Sequence, residues 1–305
     1  MTLPTPHGFG DDERSRRLRR RPPPEALAWV ERTLDVRVRS VRAYKGGSSS
    51  AIHGLRVERR GGAVDTIVLR RYVLEHLNEE EPDLAEREAR VLGLLDACAV
   101  PTPALLAVDD TGAEAGVPTV VMSRLAGRLE WSPPEVEPWL VRLVDVLPPI
   151  HEAPIVEGVP EFEPYEPGSW DPPAWLDRRL WDRAVAVFHG PRLDPDRVFL
   201  HRDYHPGNVL WRRGRLSGVV DWQAACLGPR AADVWHCRSN LLSRFGLTVA
   251  DRFLALWQER TASEYHPWTE AVMLIDVVGS RRVRPPEEQQ ALAGLLARRL
   301  AELGG

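Results

Sequence analysis

Between Val36 and Tyr72 the chain alternates apolar and polar residues with a period of two. The runs are Val36-Arg37-Val38-Arg39-Ser40-Val41, Ile52-His53-Gly54-Leu55-Arg56-Val57 and Asp65-Thr66-Ile67-Val68-Leu69-Arg70-Arg71-Tyr72. Successive strand side chains face opposite sides of a sheet, so this alternation predicts half-buried strands. Turn-forming residues separate them, Lys45-Gly46-Gly47-Ser48-Ser49-Ser50 and Arg59-Arg60-Gly61-Gly62, which predicts a small antiparallel sheet. Two further strands are expected at 105–108 and 118–122. A short amphipathic helix is expected at 25–34. A second helix is expected over 79–96, with Leu84, Val91, Leu92 and Leu95 on one face and acidic residues in a first turn that suits the helix dipole.

From about Trp131 the period becomes mainly helical with proline-rich interruptions, ending in a helix expected over 287–303. Inside this region Val209-Leu210-Trp211 and Leu216-Ser217-Gly218-Val219-Val220 flank the turn Arg212-Arg213-Gly214-Arg215 and predict a hairpin. The whole pattern predicts an α+β chain with a small sheet-rich lobe at 25–122, a hinge at 123–130 and a larger, mainly helical lobe at 131–305. Residues 1–24 read as a disordered leader, because Arg14-Ser15-Arg16-Arg17-Leu18-Arg19-Arg20-Arg21 runs into Pro22-Pro23-Pro24.

Composition narrows the field. A length of 305 residues with 43% hydrophobic content supports a sizeable core, and a net charge of -4 argues against a nucleic-acid partner. No stretch approaches the ~18 apolar residues of a membrane span, so no membrane role is expected. Cys98, Cys226 and Cys237 are far apart, form no metal-binding pair, and fit a reducing cytoplasm as small buried hydrophobes.

The chemistry concentrates in His201-Arg202-Asp203-Tyr204-His205-Pro206-Gly207-Asn208. Asp203 and Asn208 lie five residues apart, with Gly207 permitting a tight loop. A carboxylate accepts a hydrogen bond from an acceptor hydroxyl and orients it, while an asparagine carbonyl is a hard ligand for Mg²⁺. The hairpin then leads back to Asp221, a second Mg²⁺ ligand, thirteen residues after Asn208.

Together, the His-Arg-Asp loop with its spaced Asn and the Val219-Val220-Asp221-Trp222 context resemble the aminoglycoside phosphotransferase and choline kinase-like family, of protein-kinase-like fold. That resemblance runs from about Val36 to Asn240. It implies ATP as donor, with GTP as the other nucleotide the pattern admits, Mg²⁺ as cofactor, and a small-molecule hydroxyl as acceptor. It assigns Asp203 as catalytic base, Asn208 and Asp221 as metal ligands, and His201 and Asp233 as supports of the loop; His205 is split between scaffold and acceptor contact.

On the nucleotide side the resemblance puts Gly46, Gly47, Ser48, Ser49 and Ser50 over the phosphates, and adenine against the hinge at Ser123 and Leu125, with Met122 behind. It also calls for a strand cation, normally lysine. Lys45 is the only lysine in the chain, so Arg70 must fill the role. Its partner is Glu88, with Glu86 the other glutamate in reach. Arginine keeps the charge and binds phosphate through a two-pronged fork, which changes the geometry.

The acidic and aromatic stretch 157–175, with Glu161, Glu163, Tyr165, Glu166, Trp170 and Asp171, precedes the catalytic loop where the family often builds acceptor contacts. It suits a cationic acceptor, an aminoglycoside or other amino-alcohol, which would connect the chain to antibiotic resistance. Only eleven residues separate Asp221 from Asp233 and none forms Ala-Pro-Glu, which argues against a protein substrate. The rival from another class is a nucleotide-binding pseudokinase or regulatory module on the same fold.

Overall fold

The alternating segments form one antiparallel sheet of order β1-β2-β3-β5-β4 in the computed structural model, which describes residues 13–44, 49–95, 98–155 and 158–304. Its strands are β1 (Val36–Ala43), β2 (Ala51–Arg59), β3 (Val64–Arg71), β4 (Leu105–Asp109) and β5 (Thr119–Ser123). Leu55, Val57, Ile67, Leu69 and Val121 point to one face and are covered by Ala26, Trp29 and Val30 of α2 (Pro24–Leu34), a helix that starts on a proline with preset φ. β3 is the central strand, and the period of two turns Arg70 to the face opposite Ile67 and Leu69.

Two expectations on this half are corrected. The helix expected over 79–96 is broken: its main part is α4 (Leu84–Leu94), and its first two residues end a separate helix, α3 (Glu75–Glu80). Pro82 lies between them, and a proline lacks the N–H that a continuous helix needs and disfavours helical backbone at the residue before it. The basic run expected as a disordered leader contains α1 (Glu13–Arg19), because Leu18 buries against Ala51 of β2 and against Leu74.

The chain divides into two units. One holds this sheet, its helices and Val209–Ala224; the other is built from Glu130–Asn208 and from Ala225 onward. The hairpin of β7 (Val209–Arg212) and β8 (Arg215–Val219) turns on Arg213 and Gly214, both at positive φ as a tight hairpin requires. Within the sheet unit, Trp211 exchanges backbone hydrogen bonds of 2.9 and 3.0 Å with Arg128, and Ser217 donates to the Ala126 carbonyl at 2.5 Å. These bonds place the hairpin with the sheet, not with the helical lobe in which its sequence position put it.

The helical unit contains α5 (Val136–His151), α6 (Arg178–Phe188), the short pair β6 (Val198–Leu200) and β9 (Cys226–Gly228), α7 (Ala231–Phe245), α8 (Leu247–Thr261), α9 (Pro267–Gly279) and α10 (Pro286–Leu303). Trp139, Trp181, Trp235 and Trp257 are fully buried anchors of its core. The same core encloses charge: Arg238 and Glu270, each 0% exposed at the side chain, pair at 2.6 Å, Arg238 also pairs with Asp251, and Arg299 approaches Glu270 at 3.1 Å. No helix among the described residues is long and apolar enough to cross a membrane.

Removing one member of a buried ion pair strands the other, at roughly 3–5 kcal/mol. Glu270→Ala is therefore expected to lower the urea midpoint by that equivalent with an unchanged m value. A loss below about 1 kcal/mol would show that Asp251 alone satisfies Arg238.

Candidate active site

The loop from His201 to Asn208 follows β6 and hangs on one carboxylate. Asp233, in the first turn of α7 and 0% exposed, accepts the backbone N–H of His201 at 3.0 Å and of Arg202 at 2.6 Å, while His151 Nε2 lies 3.1 Å from it. Burial works to raise the Asp233 pKa, but these hydrogen bonds and the two histidines outweigh it and hold the acid below the usual carboxylate range. Arg202 takes a left-handed φ of 69°, a strain of roughly 1–3 kcal/mol for a residue with a side chain. Its guanidinium is locked between the rings of Phe162 and Tyr165, 4.6 and 4.3 Å from their centroids, and donates to the Glu163 carbonyl at 3.0 Å. Tyr204 reaches back to α5 and donates to the Leu143 carbonyl at 2.7 Å.

At the end of the loop the Gly207 N–H donates to His205 Nδ1 at 2.9 Å, and the ring sits so close that a Cβ on Gly207 would lie 2.4 Å from it. Only glycine fits there. Asn208 is thereby turned back onto Asp203, donating through Nδ2 to the Asp203 carbonyl at 2.9 Å and to its Oδ2 at 3.0 Å. Both amide hydrogens are spent, so the Asn208 carbonyl oxygen remains as a hard donor that fits Mg²⁺. On the other side of Asp203, His236 Nε2 lies 2.8 Å from Oδ1 and His205 Nε2 lies 3.7 Å from it. Burial tends to raise the Asp203 pKa; the His236 hydrogen bond and the electrostatics of the neighbouring histidines outweigh it and hold the carboxyl well below its ordinary range.

In the sheet unit, Arg70 is the hub. Its side chain, 4% exposed, pairs with Glu88 of α4, donates through Nη2 to Asp221 Oδ1 at 2.7 Å, and donates through Nε to Ser50 Oγ at 2.7 Å. Burial lowers the guanidinium pKa, but Asp221 and Glu88 more than compensate and raise it. Tyr72 completes the cluster by donating to Glu88 Oε2 at 2.9 Å. Glu86, the alternative partner, instead pairs with Arg90 and is exposed. Asp221 follows β8 at φ 72°, like Arg202 a left-handed non-glycine residue, and its carboxylate oxygens suit Mg²⁺.

Other expected nucleotide contacts divide. Gly46, Gly47 and Ser48 lie outside the described residues. Ser50 faces Arg70, and Ser49 Oγ accepts from Gln223 at 3.3 Å. The Ser123 N–H is already spent on the Ala104 carbonyl at 2.8 Å, because Ser123 is the last residue of β5, so it has no N–H for adenine. Leu125 packs over Gly218, where a Cβ would come within 2.3 Å of its Cδ1. In the acidic stretch Glu161 pairs with Arg197, Tyr165 covers Arg202, and Trp170 packs on Phe188 with centroids 5.2 Å apart, while both aromatic side chains stay exposed.

The sequence reading missed His236 and His151. His236 carried a signal, since it follows Asp233 by three residues and therefore shares a helix face with it. His151 lies at the end of α5, far from the loop in sequence, and no spacing rule connects it to Asp233.

Known proteins share the family and the fold of this chain. An alignment 103 residues long, covering 30% of this chain, is 30% identical to N-acetylmuramate/N-acetylglucosamine kinase of Neisseria meningitidis serogroup B, and the match spans only 30% of that kinase. Among solved structures, a thermostable mutant of aminoglycoside phosphotransferase APH(4)-Ia in ternary complex with AMP-PNP and hygromycin B is 15% identical with a TM-score of 0.60, covering 93% of this chain and 100% of that one. The macrolide 2'-phosphotransferase MphH of Brachybacterium faecium is 17% identical with a TM-score of 0.52, covering 91% and 92%. These likenesses show a shared fold, the two-lobed α+β fold of aminoglycoside phosphotransferases. The model of the phosphotransferase enzyme family matches residues 49–271, nearly three quarters of the sequence and all of the His201–Asn208 loop, and the chain belongs to that family.

Proposed function

We propose that the protein transfers the γ-phosphate of ATP to a hydroxyl of a small molecule, with an aminoglycoside-like compound or another amino-alcohol as the acceptor class. The observation that carries this reading is Asp203 on its anchored loop, a carboxylate held ionised and gripped at both oxygens. Membership of a phosphotransferase family supports it, as do the relatives named for a sugar kinase, an aminoglycoside and a macrolide phosphotransferase.

In this mechanism the acceptor O–H donates to Asp203, which aligns the oxygen for in-line attack on the γ-phosphorus. Phosphoryl transfer passes through a loose transition state, so aiming the nucleophile matters more than stripping its proton early, and a weakly basic Asp203 is adequate. Asn208 and Asp221 are the proposed ligands of Mg²⁺, which when bound neutralises charge on the β- and γ-phosphates. Arg70 is proposed to set Asp221 and the nucleotide phosphates, and Glu88 to set Arg70. One observation favours the rival reading of a binding module without turnover: Arg70 is buried and shared among Ser50, Glu88 and Asp221.

Asp203→Asn and Asp221→Asn are each expected to lower kcat for Mg-ATP turnover by at least about 100-fold while thermal melting still shows a folded protein. Near-normal turnover in both variants would rule the mechanism out. Arg70→Lys, which keeps a charge but loses the fork, is expected to raise the KM for Mg-ATP about tenfold; an unchanged KM would remove Arg70 from the nucleotide site.

A further inference from the structure

The grip on Asp203 is asymmetric. Its Oδ2 is held by Asn208, a residue of the same loop, but its Oδ1 is held from α7 by a residue the loop motif does not contain. His236 Nε2 sits 2.8 Å from Oδ1, and its ring stacks on His205 with centroids 5.9 Å apart and planes inclined by 25°. We infer that His236 is a positioning residue for the proposed phosphoryl transfer, fixing the rotation of the Asp203 carboxylate so that it meets the acceptor hydroxyl at the right angle. The inference rests on the reading of Asp203 as the group that receives that hydroxyl.

The protonation logic is direct. Asp203 is ionised and offers only lone pairs at Oδ1, so His236 must carry its proton on Nε2 and donate it. His205 cannot substitute, because at 3.7 Å it is beyond hydrogen-bond range of Oδ1. Without His236 the carboxylate keeps one strong tether, from Asn208, and is free to rotate about Cβ–Cγ. Misplacement of a reacting group by about 1 Å costs up to 10²-fold in rate. The geometry of α7 explains how the device is built: Asp233 and His236 lie three residues apart on one helix face, so one carboxylate anchors the loop backbone while the histidine a turn later holds the working side chain.

Asp203, His205 and His236 also bring ligand-type atoms within 4.8 Å of one another, the spacing of a transition-metal site. The tautomers argue against that use. His205 Nδ1 accepts the Gly207 N–H, so the neutral ring carries its proton on Nε2 and has no lone pair to give a metal. Binding a metal there would break the bond that turns the chain toward Asn208.

The test compares His236→Phe, which keeps a ring but loses the donor, with His236→Gln, whose amide N–H reaches the same position. Wild type, both variants and Asp203→Asn are assayed for ADP release from Mg-ATP, using water and a panel of amino-alcohols as acceptors. His236→Phe is expected to lower kcat about 10- to 100-fold with the KM for Mg-ATP within about twofold of wild type, and His236→Gln to recover most of the loss. Equal turnover in His236→Phe and wild type, or equal damage in both His236 variants, overturns the inference. Wild-type activity that survives in Asp203→Asn, or no wild-type turnover at all, instead overturns the phosphotransfer reading and takes the inference with it. NMR of the wild-type histidine ring nitrogens supplies a check that needs no activity and no folded variant: the Nε2–H form is expected at His236, and an Nδ1–H form would overturn the hydrogen bond.

Discussion

Asp233 is the constraint on which the helical half of the site depends. Two consecutive peptide N–H groups, from His201 and Arg202, end on its two oxygens inside a region closed to water. A buried carboxylate is costly unless fully bonded, and here the backbone of the His201–Asn208 loop supplies the bonds together with His151. The dependence runs both ways. The loop cannot relax without exposing a buried charge, and that rigidity lets Arg202 stay in a left-handed conformation and lets Asp203 stand at a fixed place after it.

The sheet unit solves a related problem with the opposite charge. Arg70 brings a permanent cation into the interior on the central strand, and Glu88, Asp221 and Ser50 gather around it. A lysine would offer a compact, strongly hydrated point charge; the guanidinium spreads its donors in a plane, so three elements can be tied by one side chain. One end of that tie is Asp221, itself strained at positive φ.

Much of this was legible in the sequence because the relevant signals are local. Period-two alternation located the sheet, and the spacing of Asp203, Asn208 and Asp221 marked the candidate site. Glu88 was named as the partner of Arg70 by the family resemblance, with Glu86 in reach, and it is Glu88 that is buried against Arg70. What escaped was either a single backbone veto or a long-range contact. Pro82 splits one amphipathic pattern into α3 and α4, since periodicity records side chains and not the missing N–H. The arginine-rich run looked soluble throughout, yet one leucine on its buried face suffices to dock α1. His236 and His151 act through contacts 33 and 82 residues away in sequence, to Asp203 and Asp233 respectively, where no motif reaches.

The central claim is chemical, that a small-molecule hydroxyl receives the terminal phosphate, and ³¹P NMR observes that event without assuming the acceptor. Protein, Mg-ATP and pooled amino sugars and amino-alcohols are followed together. The account predicts that the γ-phosphorus signal of ATP falls as ADP and a new phosphomonoester signal rise in step, with no such signal when Mg²⁺ is chelated. ATP lines that shift on binding but never give way to ADP and a phosphomonoester, whatever the acceptor, would contradict it and leave a nucleotide-binding module in its place.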